Sequence, residues 1–150
     1  MRARKKSPRV RVRASSIHGR GLFALEPIAK GARILEYAGE RVSAEEGHAR
    51  YDETEPFHTF LFDLEDGRMI DGGVDGNESR FINHSCRPNV EAVLHRGRIF
   101  IHARRPIAAG RELLMDYSFE PEDAGDPEVR AAYPCSCGAR RCRGTMVVAS

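Results

Sequence analysis

The 150-residue chain has no apolar run approaching the roughly 18 residues a transmembrane helix needs, so a helical membrane span is excluded. Its basic N-terminus has no apolar segment behind it, which argues against a secretory signal. The expectation is a cytoplasmic or nucleoid/chromatin-associated protein, with a secreted effector as the alternative. No internal repeat or low-complexity stretch is present, which excludes solenoids and fibrous arrays. No serine or cysteine nucleophile motif occurs. His18, His48, His58, His95 and His102 show neither metal nor triad spacing and read as structural or surface residues. Cysteine is scarce: Cys86, Cys135, Cys137 and Cys142, the last three within eight residues. Without a signal sequence, such a cluster points to metal more than to disulfides.

What remains is ordinary for one soluble domain with a real core: 41% hydrophobic and 31% charged residues. Net charge is only +2, but it is uneven. Arg2, Arg4, Lys5, Lys6, Arg9, Arg11 and Arg13 precede any acid. The simple reading is a solvated basic tail, with residues 1–8 outside the domain. The sharper reading is an arm that contacts nucleic acid or another polyanion.

Short strands separated by turn residues fill most of the chain, which predicts a mainly β domain with short helices. Ala32–Tyr37 suits a buried strand. Ser43 and Glu46 form an S-x-x-E capping box that predicts a helix from about Ala44 to Asp52. Thr59–Leu64 and Arg68–Ile70 flank Asp66-Gly67, and Val90–His95 and Arg98–Ala103 flank Arg96-Gly97; both read as hairpins. Leu113–Tyr117 reads as a last strand. The apolar pattern then stops, so 120–134 reads as an acidic loop or linker.

Three blocks carry the chemistry. The first is Gly19-Arg20-Gly21-Leu22-Phe23, followed by Glu36-Tyr37-Ala38-Gly39-Glu40. The second runs from Asn77 through Arg80-Phe81-Ile82-Asn83-His84-Ser85-Cys86 to Pro88-Asn89. The third is Glu112-Leu113-Leu114-Met115-Asp116-Tyr117, with the cysteine cluster behind it. Taken alone, the glycine turn could be a plain turn, Tyr37 a core aromatic, Asn83 a helix cap and Tyr117 the half-buried end of a strand. Together and in order, the blocks resemble the SET-domain lysine methyltransferases with a post-SET zinc cluster, over roughly residues 9–145. A domain of this length without a pre-SET domain is similar to bacterial or viral members.

The resemblance implies a SET fold of small sheets over 9–119, with a C-terminal pseudoknot and a post-SET zinc knuckle at 135–150. It implies S-adenosylmethionine as methyl donor, S-adenosylhomocysteine as product, and a donor site drawn from Gly19, Arg20, Gly21, Leu22, Tyr37, Arg80, Asn83, His84 and Tyr117. Tyr117 would be the central catalytic residue, with Tyr37 and Asn83 beside it. Phe60, Met115 and Phe119 would line the lysine channel. Arg20 and Met115 stand where relatives often carry aromatics, and Phe60 where they often carry tyrosine. Fewer hydroxyls and a flexible methionine predict a channel that admits more than one methyl group. The family's cysteine pattern makes Cys86, Cys135, Cys137 and Cys142 the ligands of one structural zinc, with Arg140, Arg141 and Arg143 offsetting thiolate charge.

The expected partner is a lysine-bearing basic protein or peptide, such as a histone or DNA-associated protein. The acidic residues Glu120, Glu122, Asp123, Asp126 and Glu128 would attract it. The chain is expected to act as a monomer or homodimer. Two competing readings are a zinc-bearing module that binds nucleic acid or peptide without turnover, and a SET domain that has lost activity. The first has no need of Tyr117, Asn83 or the glycine turn.

Overall fold

Both turn signals make hairpins, because the chain places left-handed residues where they are needed. In a computed structural model that describes residues 7–51, 60–118 and 124–148, β8 (Val90–His95) pairs antiparallel with β9 (Arg98–Ala103). Arg96 (φ 51°) and Gly97 (φ 75°) form the two-residue turn. Two successive positive φ values match the twist of the strands they join. The other hairpin, β5 (Leu61–Asp63) with β6 (Arg68–Asp71), closes through Glu65 (φ 62°) and Gly67 (φ 85°). Thr59 lies outside the described residues.

Among the described residues, ten strands form four small sheets. β1 (Val10–Ala14) pairs with β2 (Arg20–Ala24). β3 (Arg33–Glu36) joins β9 and β8, while β4 (Glu40–Ser43) joins β6 and β5. β7 (Asn83–His84) and β10 (Leu114–Met115) form a parallel pair. Isolated two-stranded pieces are barely stable in water. These pieces share one core, in which Leu22, Ile34, Ile101 and Leu113 are almost wholly excluded from solvent. Each such side chain contributes about 1.5–3 kcal/mol.

The helix expected after the capping box is α1 (Ala44–Tyr51), with the Glu46 N–H donating to Ser43 Oγ at 3.1 Å. Asp52 lies outside the described residues. Arg50 docks α1 by donating to Glu40, Glu46 and the fully buried Asp71. Those three carboxylates hold the guanidinium above its ordinary pKa.

Four expectations need correction. The basic segment is not all tail: Val10–Ala14 is a strand in which Val10 and Val12 are half-buried and Arg11 and Arg13 exposed. Residues 1–6 lie outside the described residues. The strand expected at Ala32–Tyr37 is Arg33–Glu36 with a register shift. The one expected at Leu113–Tyr117 shrinks to Leu114–Met115: Leu113 N donates to Leu22 O of β2 instead of continuing the pairing with β7, and Tyr117 N donates to the His84 side chain instead of a strand backbone. The linker contains α2 (Pro127–Ala131): Asp126 accepts from the Glu128 N–H as N-cap, and Pro127 fills the first turn.

The stretch 111–115 lies between β2 and the loop after β7. On one side Leu113 N donates to Leu22 O at 2.7 Å. On the other, Asn89 substitutes for a strand: its Nδ2 donates to Glu112 O at 2.9 Å and its Oδ1 accepts from Leu114 N at 2.8 Å. Asn89 N also donates to Leu114 O, and Ser85 N to Met115 O. This is the crossing a pseudoknot requires.

Candidate active site and metal centre

The crossing brings the second and third blocks together. Asn83, 9% exposed, donates from Nδ2 to His18 O (3.0 Å), Arg20 O (3.1 Å) and Glu112 Oε2 (2.9 Å). It therefore pins the loop His18–Arg20 to the crossing segment and caps no helix. The cap of the 3₁₀ turn Glu78–Phe81 is Asn77, which accepts from Ser79 N. At Gly19 (φ 43°) the pinned loop borders open space: a Cβ there meets nothing within 4 Å. Loop backbone held open in this way fits a ligand that needs close approach. At Gly21 the reverse holds. A Cβ would sit 2.3 Å from Glu112 Oε2, so only glycine leaves room for that carboxylate. Ser15 Oγ donates to the same carboxylate at 2.8 Å.

Leu22 is fully buried in the core. Arg20 is exposed at the start of β2, and the Arg80 guanidinium lies 4.7 Å over the Phe81 ring. Tyr37 is also buried; its hydroxyl donates to Phe60 O at 2.7 Å and its ring is 4.4 Å from Phe62.

An open cleft of about 290 Å³ is lined by Phe62, Val90, Glu91, Arg104, Met115, Asp116 and Tyr117, among others. Of the residues assigned to the lysine channel, Met115 lines this cleft. Phe60 is not among its lining residues; its carbonyl instead holds Tyr37. Phe62, two positions on, faces the cleft and places Tyr37 one layer behind. Phe119 lies outside the described residues.

The Tyr117 hydroxyl donates to Ile82 O in a short hydrogen bond. Burial first, and the charge of Glu112 second, push the phenol well above its ordinary pKa. It is a neutral hydroxyl at physiological pH, not a base. The Tyr117 backbone N–H donates to His84 Nδ1 at 3.0 Å. Burial, opposed by Asp116 and aided by Arg143, lowers His84 to about 4, so its ring is neutral.

The four cysteine sulfurs lie within 4.8 Å of one another. Cys86 Sγ is 3.8 Å from Cys135 Sγ and 3.9 Å from Cys142 Sγ. A tetrahedral zinc with bonds of about 2.3 Å separates its sulfurs by about 3.8 Å, so this donor set fits zinc. Backbone N–H groups already face the sulfurs: Arg143 N to Cys86 (3.4 Å) and Gly144 N to Cys142 (3.3 Å). Burial raises the Cys86 and Cys135 thiols. For Cys137, burial is outweighed by N–H donors from Cys86 and Ala139 and by the neighbouring thiols, bringing it down to about 6. Arg143 does not simply offset thiolate charge. Its guanidinium grips Asp116 through two bonds, Nη1 to Oδ2 at 2.8 Å and Nη2 to Oδ1 at 3.0 Å.

Sequence reasoning missed the roles of Ser15, Glu112, Asn89 and Asp116. Asn89, Glu112 and Asp116 lie inside the three motif blocks, and the second glycine of the turn, Gly21, is the signal for a bulky partner opposite.

A fold of small sheets, a crossed C-terminal segment ending in a half-buried tyrosine, and a thiol cluster beside it define a class. The SET-domain family profile matches residues 19–118, and the chain belongs to that family. It is 40% identical over 135 residues to the histone-lysine N-methyltransferase trithorax of Drosophila virilis, which covers 86% of this chain and 3% of that protein. It is 42% identical over 139 residues to the H3 lysine-4 specific histone-lysine N-methyltransferase of Saccharomyces cerevisiae, covering 88% of this chain and 12% of that protein. A chain in the crystal structure of an active polycomb repressive complex 2 in the stimulated state superposes with a TM-score of 0.69 at 34% identity, over 76% of this chain and 16% of that one. The chain thus spans a small fraction of the length of the relatives it matches. Among the described residues, no helix is long and apolar enough to cross a membrane.

Proposed function

We propose that this chain is an S-adenosylmethionine-dependent protein-lysine N-methyltransferase acting on a basic, chromatin-associated protein such as a histone. The observation that carries this reading is Tyr117: a neutral, half-buried phenol at a cleft, fixed through both its hydroxyl and its backbone N–H. The bound donor supplies a methyl group on a sulfonium. The chain's own work is to align the acceptor amine, since an in-line displacement depends on alignment.

At pH 7 only about one free lysine in a few thousand is neutral, given a pKa near 10.4. A channel walled by Phe62, Met115 and Val90 disfavours the ammonium form. With its proton committed to Ile82 O, the Tyr117 hydroxyl offers the amine an oxygen lone pair. Asn83 holds the His18–Arg20 loop that would receive the donor. Glu91 at the cleft favours a basic peptide, while Asp116 is paired with Arg143 and Arg104 lines the same cleft. Asp126 N-caps α2 and is committed there; Glu120, Glu122 and Asp123 lie outside the described residues. Cys86, Cys135, Cys137 and Cys142 would hold the structural zinc, which would order the tail.

Transfer of a radiolabelled methyl group to histones or to a cell extract tests the reading. Tyr117→Phe and Asn83→Ala should each abolish the signal. Full turnover in both variants would sink it and leave the non-enzymatic alternatives.

A further inference from the structure

Tyr117 is tied to the cysteine cluster by two separate routes. The first runs through His84, whose side chain is 1% exposed. Its Nδ1 accepts the Tyr117 N–H, which leaves Nε2 to carry the ring hydrogen, and Nε2 lies 3.6 Å from Cys86 Sγ. The second runs through Arg143, the residue after Cys142. Its backbone N–H faces Cys86 Sγ, and its guanidinium forks onto Asp116, the residue before Tyr117. A bidentate fork fixes direction as well as distance. It is also partly shielded, at 28% and 22% side-chain exposure for the two partners. His84 Nδ1 stands 3.8 Å from Asp116 Oδ1, but with the ring hydrogen on Nε2 both atoms are acceptors, so the two routes meet at Tyr117 and not at each other.

We infer that the zinc loop positions Tyr117 through Arg143–Asp116 and His84, and that Arg143 and His84 are positioning residues for methyl transfer. The inference rests on the function proposed above. A loop that merely closed one wall of the cleft would need neither tie, because its four sulfurs and their backbone N–H donors already close on one another. Both ties instead reach the backbone and flank of the one side chain that must be aligned.

The test uses the zinc-loaded protein with its four tyrosines replaced by 3-fluorotyrosine. The Tyr117 fluorine resonance is assigned from the signal missing in Tyr117→Phe. Arg143→Gln should keep one zinc per chain by native mass spectrometry, yet shift that resonance. It should lower kcat between about 10- and 100-fold, the range expected for a small misplacement. KM for donor and peptide should stay within about twofold by the same reasoning. Arg143→Lys, which keeps the charge but not the fork, should recover part of kcat. Chelating zinc from the unmutated protein should move the same resonance. If Arg143→Gln loses zinc, Asp116→Asn breaks the fork from the far side and is read in its place. An unmoved Tyr117 resonance in the zinc-loaded variant overturns the inference, as does a loss confined to peptide KM. If the unmutated protein transfers no methyl group, the proposed function fails on its own, while the fluorine shift still decides whether the loop positions Tyr117.

Discussion

Replacing Gly21 with alanine should destabilise the protein through one identifiable atom. The new Cβ falls 2.3 Å from Glu112 Oε2, where ordinary contact begins at 3.4 Å, so the carboxylate must retreat by about 1.1 Å. That retreat breaks its bonds from Ser15 Oγ (2.8 Å) and Asn83 Nδ2 (2.9 Å). Hydrogen bonds to a charged group contribute about 1.5–3 kcal/mol each. Ser15 and Glu112 are only half-buried, so water recovers part of this loss. Alanine also restricts the unfolded chain, offsetting about 0.4–1 kcal/mol. A net loss of about 2–3 kcal/mol remains, or roughly 4–12 °C in Tm for a domain of this size. The decisive measurement is a double-mutant cycle by urea denaturation with zinc saturating. In a Glu112→Ala background the nearest remaining neighbour is Ser15 Cβ at 3.2 Å. The Gly21→Ala penalty should there fall below about 1 kcal/mol, leaving a coupling of about 2 kcal/mol. An equal penalty in both backgrounds would refute the steric argument and with it the claim that this glycine exists to admit Glu112.

Three further outcomes follow from the geometry. Asn89→Ala removes the bonds to Glu112 O and Leu114 N and should lower stability by about 2–4 kcal/mol in denaturation; Asn89→Asp, which sets a carboxylate oxygen against Glu112 O, should cost at least as much. Because the Tyr117 phenol is raised above its ordinary pKa, its contribution to stability is intact below about 10 and lost above it. An ultraviolet titration of Tyr117→Phe should therefore lack the most alkaline tyrosine step, and kcat/KM should keep rising through pH 8–9 with no decline from this group; a step missing near neutral pH would contradict the assignment. Finally, Met115 lines the cleft and brings no hydroxyl to orient the amine, so mass spectrometry at saturating donor should detect di- or trimethyllysine. Monomethyllysine alone at long times would refute that, and Met115→Tyr should shift the product toward one methyl.

Local chemistry was readable wherever a few adjacent residues decide the outcome. Arg96-Gly97 set its hairpin because two left-handed residues in a row admit little else. Ser43 capped α1 as expected, although Glu46 turned to Arg50 rather than closing the capping box. Asp126-Pro127-Glu128 carried an equally local signal for α2 that the surrounding acidity obscured. The arginines at 9, 11 and 13 likewise concealed a plain strand alternation with Val10 and Val12. The four cysteines were legible as a cluster because three share one loop. The partnerships of Glu112 with Ser15, and of Asp116 with Arg143, were not legible. Each joins residues far apart in the chain, and an acid's partner cannot be read from its neighbours. Phe62 rather than Phe60 reached the cleft for a related reason: Phe60 precedes β5, and its carbonyl is committed to Tyr37.

The crossing segment also governs when the protein can exist as a folded body. Leu22 waits for Leu113, and Asn89 waits for Glu112 and Leu114. The hairpins β1–β2, β5–β6 and β8–β9 can close before the crossing forms, but the core then lacks Leu113. Contacts of such sequence separation are slow to form, since the loop must close before any contact rewards it. Tyr117 follows directly on the crossing segment, so its bonds to Ile82 and His84 wait for the same closure. The surroundings of Tyr117 would therefore be assembled only once the crossing has closed.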